Sequence, residues 1–299
     1  VSNSAIAARL GVDEEWLVRR TGTRDRHVAA PGERLEDLAA AAARRALAAA
    51  DMEATEVDAV LVGTTTADEM SPHTAPLVAA DLGARGAAAV DVSAACVGFL
   101  SCVALGTSMI ESGRARAVLA IGADMLSRYL DPDDPQSAML FGDGAGAVVL
   151  AATSGDARVG PWVLSSDGGA RGLIRLDRRE LLIRMDGPAV YRRAVPIIAE
   201  AASEVLARAH LGVDDIDLFV LHQANSRIIR AVRERLGADE ARVVDVVDRF
   251  ANTSSASLPI ALGVAAEEGR LRAGDRVLLG AFGAGLVWGA AVLTWGAGS

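Results

Sequence analysis

EVDAVLVG, residues 56–63, and DIDLFVLH, residues 215–222, read as one structural unit written twice. Each has an acidic lead-in followed by a short apolar run rich in Val and Leu, the pattern of a strand buried on both faces of a parallel sheet. Working outward, the surroundings repeat as well. MIESGRARAVLAIGAD from Met109 parallels AAEEGRLRAGDRVLLGAFG from Ala265. Self-similarity at long period points to an internal duplication. Aligning Gly113 with Gly269 sets Cys96 opposite Asn252, so two polar residues are expected to open equivalent helices in two related halves. The alternative, an unduplicated chain whose Ala-rich helices and apolar strands resemble one another by chance, stays open on this pattern alone.

The spacing of apolar residues predicts helices over Leu35–Ala50, Cys96–Ser112, Val190–Ala209 and Ser254–Glu268. Gly113 and Gly269 supply helix-stop signals. Strands are expected over Val57–Gly63, Ala87–Val92, Ala117–Gly122, Gly144–Ala151, Leu218–His222, Val277–Gly280 and Trp288–Trp295. Strand–helix alternation argues an α/β layered fold with helices on both sheet faces. The halves are expected at residues 1–157 and 158–299, and no Pro- or Ser-rich linker separates them, so one shared core is expected. The chain opens near a helix start, Ser2-Asn3-Ser4, without Met, and a leading strand is expected ahead of it.

Composition narrows the function classes. The 299 residues carry 30 basic and 39 acidic side chains for a net charge of −9, and every basic residue is Arg. That argues against a general nucleic-acid or anionic-membrane binder. The absence of Lys excludes Schiff-base and P-loop lysine chemistry. Two cysteines, Cys96 and Cys102, exclude a disulfide framework and a CxxC zinc site. No apolar run is long enough to span a bilayer and no signal peptide is read, so a cytoplasmic location is expected.

Cys96 lies in Ser93-Ala94-Ala95-Cys96-Val97-Gly98-Phe99, where a strand gives way to a helix. A thiol at a helix N-terminus meets unpaired N–H groups and the positive end of the macrodipole, and both favour thiolate. The plainer reading is a buried structural Cys, the reading given to Cys102 in mid-helix. His222 closes an apolar strand, where ligands collect in parallel sheets; the plainer reading is a polar loop residue. His27, His73 and His210 read as surface residues. Asn252, in Ala251-Asn252-Thr253-Ser254-Ser255-Ala256-Ser257, is either an N-cap or a hydrogen-bond donor to a developing oxyanion. A Cys/His/Asn set suits thiolate chemistry. Gly142-Asp143-Gly144-Ala145-Gly146 precedes a strand rather than a helix and reads as a turn, not a nucleotide loop. Gly283-Ala284-Gly285 can bring backbone N–H groups close to a ligand.

Taken together, these marks resemble the thiolase-like condensing enzymes, specifically β-ketoacyl-acyl carrier protein synthase III. The resemblance spans nearly the whole chain. It rests on Asp13-Glu14-Glu15-Trp16 with Arg20-Thr21-Gly22, Ala95-Cys96, Phe141 to Gly146, His222-Gln223-Ala224-Asn225, Asn252-Thr253-Ser254 and Phe282-Gly283-Ala284-Gly285. It implies a layered α-β-α-β-α core from two duplicated halves. Cys96 resembles the acyl-accepting nucleophile. His222 and Asn252 resemble the pair that promotes decarboxylation of a malonyl thioester and holds the enolate oxygen. The backbone N–H groups of Cys96 and Ala284 resemble the oxyanion hole; relatives usually carry Gly at the latter position.

The same resemblance places Phe99 and the loop at Ser71 near the acyl pocket. In dimeric relatives that loop crosses from the neighbouring subunit, and small Ser71 implies room for branched or longer starters. Trp16, Arg20, Gly187 and Asn225 match positions that hold a coenzyme A or pantetheine arm. Pro135 stands where some relatives carry an adenine-stacking Arg, which implies a carrier-bound donor or a different adenine contact. Arg227 matches a carrier-docking position, and Arg192, Arg193, Arg230, Arg233 and Arg235 extend a basic patch. The plainer reading pairs these with Glu204, Glu234 and Asp239 on solvated faces. The segment between Ser166 and Asp186 is short for the family.

The implied partners are an acyl carrier protein, an acyl-coenzyme A or other acyl thioester, and a second copy of the chain. No metal or redox cofactor is implied. Two other functions remain open: transfer of an acyl group from Cys96 to an alcohol or amine, which needs Asn252 less, and a non-catalytic partner subunit, which is expected to lose the nucleophile.

Overall fold

Short Val-, Leu- and Ala-rich runs cannot bury themselves as helices, and here they pair side by side in two sheets. The protein is described by a computed structural model over residues 1–155 and 158–296. The first part of the chain runs α1 (Asn3–Leu10), α2 (Glu14–Thr21), α3 (Leu35–Ala49), β1 (Ala59–Gly63), α4 (Thr74–Leu82), β2 (Ala88–Val92), α5 (Gly98–Glu111), β3 (Ala117–Met125), α6 (Pro135–Ala138) and β4 (Asp143–Ala151). The second runs β5 (Arg158–Ser166), β6 (Ile174–Leu176), β7 (Ile183–Met185), α7 (Gly187–Ala209), β8 (Leu218–Leu221), α8 (Ser226–Leu236), β9 (Val243–Val244), α9 (Val247–Phe250), α10 (Ser257–Glu267), β10 (Arg276–Gly283) and β11 (Val287–Thr294). The boundary expected at 157/158 touches positions 156 and 157, which lie outside the described residues.

The sheets have the order β2-β1-β3-β4 and β5-β11-β10-β8-β9. Read as β9-β8-β10-β11, the second repeats the first, with β5 added outside. In each, three strands are parallel and the last runs antiparallel. Helices α5 and α10 lie between the sheets, in a core that also takes side chains from β1, β3, β8 and β10. Helices α3 and α4 cover the outer face of the first sheet, and α7 and α8 that of the second. This is the five-layer α-β-α-β-α order expected from the resemblance.

The duplication is real, but its register differs from the expected one. Ala59 and Leu218, Ala95 and Ser254, and Ala117 and Arg276 are separated by one constant interval, and each pair occupies the same place in its half. That interval sets Cys96 opposite Ser255, not Asn252. The glycine-based alignment fails because α10 has 11 residues against 14 in α5, and the loop after Gly269 is correspondingly longer. Both expected helices also begin with a 3-10 turn, at Ala95–Val97 and Ser254–Ala256. Strands β3 and β10 each run three residues beyond their expected ends, to Met125 and Gly283. Strand β5 carries no expected apolar run because Pro161 interrupts it; as the sheet edge, this strand tolerates the lost donor.

Close approach of the two halves depends on glycine at Gly122. A Cβ there would lie 2.2 Å from the Ser255 carbonyl oxygen and 2.8 Å from its carbonyl carbon. Backbone cannot swing aside as a side chain can, so Gly122→Ala is expected to destabilise the fold by about 1–3 kcal/mol or more. Urea unfolding is the measurement, and an unchanged midpoint would show that the halves are not in this contact.

Candidate active site

Cys96 sits at the turn between β2 and α5. Ala95 before it has φ +46°, a region that non-glycine residues enter at a cost of about 1–3 kcal/mol. Ser254, its counterpart in the other half, has φ +51°. The two strained turns face each other, and the Ser254 hydroxyl lies 3.5 Å from the Cys96 sulfur. Gly283 packs against the Cys96 turn from the end of β10; a Cβ on it would come 2.8 Å from the Cys96 nitrogen. Among the described residues the Cys96 N–H meets no acceptor but its own sulfur.

His222 follows β8, and its N–H donates to the Gly280 carbonyl at 2.7 Å. Its Nδ1 lies 2.6 Å from Ser257 Oγ, which also accepts the Gln223 N–H at 3.4 Å. The Ser257 hydroxyl can donate its hydrogen to Nδ1 while a lone pair accepts the Gln223 N–H, and in that arrangement the imidazole proton sits on Nε2, the tautomer we propose. Gln223 clamps the turn beneath, donating to Leu221 and Val244 carbonyls and accepting from Val246 N–H. Ser257→Ala is expected to move the tautomer ratio toward Nδ1–H by about 1 kcal/mol, or about fivefold. The 15N shifts of His222 report it: an Nδ1–H spectrum in the wild type would refute the assignment, and an unaltered Nε2–H spectrum in the variant would show that Ser257 does not set the tautomer.

Asn252 is 4% exposed. Its backbone bridges to the Phe141 segment through Leu140 and Gly142. Its Oδ1 accepts the Ser254 N–H at 2.9 Å, which leaves Nδ2 without a partner among the described residues.

Cys96, His222, Asn252 and Gly283 line the inner end of one cavity of about 870 Å³. Its walls are largely apolar, with Met139, Phe141, Met185 and Ile198 among them. Trp16, Arg20, Pro135, Gly187, Asn225 and Arg227 line the same cavity toward its exposed rim. Arg20 lies over the Trp16 ring at 4.9 Å, and Arg227 near Tyr191 at 5.6 Å. The Asn225 carboxamide is already engaged, capping α8 and donating to the Arg20 carbonyl. Ala284, the expected second oxyanion donor, follows Gly283 and is not itself among the residues lining the cavity.

Two expected pocket residues fall elsewhere. Phe99 is fully buried in the central core and lines no part of the cavity. It sits near the first turn of α5, which directs it toward β3, where Gly122 makes room. Ser71 is exposed and outside the cavity of its own chain. In the basic patch, Arg193 pairs with Asp167, Arg233 with Glu234 and Glu240, and Arg235 with Glu200. Among the described residues, Arg20, Arg192, Arg227 and Arg230 have no carboxylate within 4.0 Å. Glu204 pairs with Arg208 instead, and Asp239 caps Ala241.

The resting charge state differs from the expected thiolate. Burial pushes the Cys96 thiol up to about 11; the Ser254 hydroxyl and the Cys96 N–H oppose this, and the negative charge of Asp124 adds to it. The helix proper begins only at Gly98, beyond the 3-10 turn, so its pull on the sulfur is weaker than a cysteine at the first helical turn would feel. What exposure Cys96 has is to the cavity, so the sulfur is reachable yet poorly hydrated. Burial also pushes the His222 imidazole down to about 4. Thiol and neutral imidazole are therefore the resting pair. Among the described residues, no cluster of three or more His, Cys, Asp or Glu has metal-binding geometry, and no helix is long and apolar enough to cross a membrane.

Comparison with known proteins bears on what this cavity is for. A 3-oxoacyl-[acyl-carrier-protein] synthase III family model matches residues 90–168, and the C-terminal model of that family matches residues 206–295. The chain is 44% identical over 311 residues to β-ketoacyl-[acyl-carrier-protein] synthase III 3 of Streptomyces coelicolor, covering 99% of this chain and 93% of the relative. The solved structure of 3-oxoacyl-[acyl-carrier-protein] synthase III from Aquifex aeolicus superimposes with a TM-score of 0.96 at 37% identity, covering 99% and 95% of the two chains. A priming β-ketosynthase from the R1128 polyketide biosynthetic pathway gives 0.95 at 35%, covering 100% and 93%. Identity of this extent over whole chains, on the same layered fold, makes this protein a member of the β-ketoacyl-acyl carrier protein synthase III family of thiolase-like condensing enzymes, and so an acyltransferase.

Proposed function

We propose that the protein condenses an acyl thioester with a malonyl thioester carried on an acyl carrier protein, releasing carbon dioxide and initiating a fatty-acid or polyketide chain. The observation that carries this reading is the convergence of Cys96, His222 and Asn252 on the inner end of a single apolar cavity. In the first step the Cys96 sulfur attacks the acyl carbonyl. The oxyanion is held by the N–H groups of Cys96 and Ala284, and the donor thiol leaves carrying the proton that Cys96 gives up. No net charge remains in the poorly hydrated cavity, which suits a thiol whose ionisation is disfavoured.

In the second step the malonyl thioester loses its carboxylate as carbon dioxide. His222 Nε2–H and Asn252 Nδ2 donate to the thioester oxygen as it becomes an enolate. The enolate carbon attacks the acyl group on Cys96, the sulfur leaves, and one proton from solvent restores the thiol. A neutral imidazole suits a hydrogen-bond donor that must not ionise between turnovers.

At the rim, Trp16 and Arg20 would hold the coenzyme A or pantetheine arm. Arg192, Arg227 and Arg230 give the −9 chain a local positive face for an acidic carrier, and screening over about 8 Å makes that local charge decisive. We propose a homodimer in which the Ser71 loop lines the neighbouring subunit's channel.

The test is mass spectrometry of the intact protein after exposure to a panel of acyl-coenzyme A and acyl-carrier donors, with release of labelled carbon dioxide from a malonyl thioester. Acylation at Cys96 with carbon dioxide release is expected. Acylation without release, with the acyl group passing to an alcohol or amine, would replace condensation by simple acyl transfer.

A further inference from the structure

Asp124 stands at the end of β3 with no solvent exposure, and among the described residues no Arg lies within ion-pair distance. A buried carboxylate persists only when its oxygens are satisfied. Here Oδ1 accepts the Thr65 N–H at 2.9 Å and the hydroxyls of Thr66 at 3.0 Å and of Thr64 and Thr65 at 3.2 Å. Oδ2 accepts the Ser255 N–H at 3.1 Å and lies 2.8 Å from Ser255 Oγ. That hydroxyl is also 2.6 Å from the Gly63 carbonyl and shares one hydrogen between them. One oxygen thus grips the loop after β1 in the first half, and the other grips the 3-10 turn of the second.

The duplication shows what that second grip replaces. Ser255 is the counterpart of Cys96, and Gly283 is the counterpart of Asp124. Gly283 leaves the Cys96 N–H open beside the cavity, whereas Asp124 fills the same place before the Ser255 N–H with its own carboxylate oxygen. The adjacent residue, Ser254, donates its N–H to Asn252 Oδ1 and its hydroxyl to the Cys96 sulfur. Holding Ser255 therefore holds the turn that orients the Asn252 carboxamide.

We propose that Asp124 is a positioning residue: it locks the turn that follows Asn252 against the loop after β1, and so sets the donor geometry for enolate formation. This rests on the decarboxylative reading above. It predicts a split that a general packing role would not produce. Asp124 is the charged side chain that acts on the Cys96 sulfur, so neutralising it eases ionisation of the thiol while loosening Asn252.

The experiment uses purified full-length Asp124→Asn. The readouts are carbon dioxide release from a carboxyl-labelled malonyl thioester on an acyl carrier protein, acylation of Cys96 by the donor the wild type accepts best, and the pH midpoint of Cys96 alkylation by iodoacetamide. Carbon dioxide release is expected to fall about tenfold or more, on the scale that small misplacements produce. Acylation is expected within about threefold of wild type, and the alkylation midpoint is expected to drop.

Unchanged carbon dioxide release overturns the proposal. So does a parallel fall in release and acylation with no change in the alkylation midpoint. Ser255→Ala, which keeps the charge and the backbone contact, covers the case in which Asp124→Asn does not fold. It is expected to lower release about threefold with the alkylation midpoint fixed, and unaltered release there also overturns it. A wild type that neither releases carbon dioxide nor acylates would instead defeat the functional reading.

Discussion

Cys96→Ala is expected to remove acyl transfer by at least about 10⁴-fold while carbon dioxide release from a malonyl thioester stays measurable. The sulfur is the nucleophile in the proposed first step. Cys102, the only other thiol of the chain, is fully buried in the core, with its thiol pushed well above the usual range by burial. No substitute nucleophile is therefore at hand. The enolate donors lie on the other half of the duplication, on the residues after β8 and before α10, and the substitution does not touch them. Alanine removes one atom from a cavity wall, so stability is expected to stay within about 1 kcal/mol. Intact-mass measurement with each donor, beside a carbon dioxide assay, reads both outcomes. Acyl mass appearing at wild-type levels on the variant would remove Cys96 from the mechanism. Loss of carbon dioxide release as complete as loss of acylation would mean that the two groups of residues do not act separately.

Much of this separation was legible in the sequence, because parallel strands buried on both faces must be continuous apolar runs. Residues 56–63 and 215–222 therefore disclosed both the fold class and the duplication. His222 and Cys96 were legible because each stands where such a run or its neighbour ends. What the periodicity could not carry was the register of the second half. A three-residue shortening of α10 is compensated in the following loop, so matching glycines at helix ends slid Asn252 into the place of Ser255. Phe99 goes to the core because whether a residue near a helix start points to a cavity or a core depends on the glycine opposite, here Gly122. The Cys96 thiol departs from the expected thiolate for a related reason. Helix-terminal residues are visible in a sequence, but the burial that opposes the thiolate comes from distant segments. The supporting residues Ser254 and Ser257 give a weak signal, since Ser near a helix start ordinarily reads as a cap, and Asp124 gives none because its partners come from distant segments.

His222→Ala and Asn252→Ala are each expected to lower carbon dioxide release about 10²–10³-fold, and the double variant by much less than the product. Both donors would meet the same thioester oxygen. Once one is lost, the oxygen is held off its productive position and the other contributes little. Acylation of Cys96 should fall far less than release does in either variant, because its oxyanion donors are backbone groups. Full additivity would indicate separate roles for the two side chains. His222→Ala also tests the neutral imidazole by a different route. The native group titrates near 4 and an unfolded His near 6.5. Between those values the unfolded chain binds a proton that the native site refuses, so this contribution is complete above pH 6.5 and is lost as pH falls toward 4. The variant lacks it. The stability advantage of wild type over His222→Ala in urea should therefore shrink by up to about 3 kcal/mol between pH 7 and pH 4. A constant difference across that range would mean that the imidazole is solvated or charged, and a charged His222 could not serve as the neutral Nε2–H donor on which the enolate step depends.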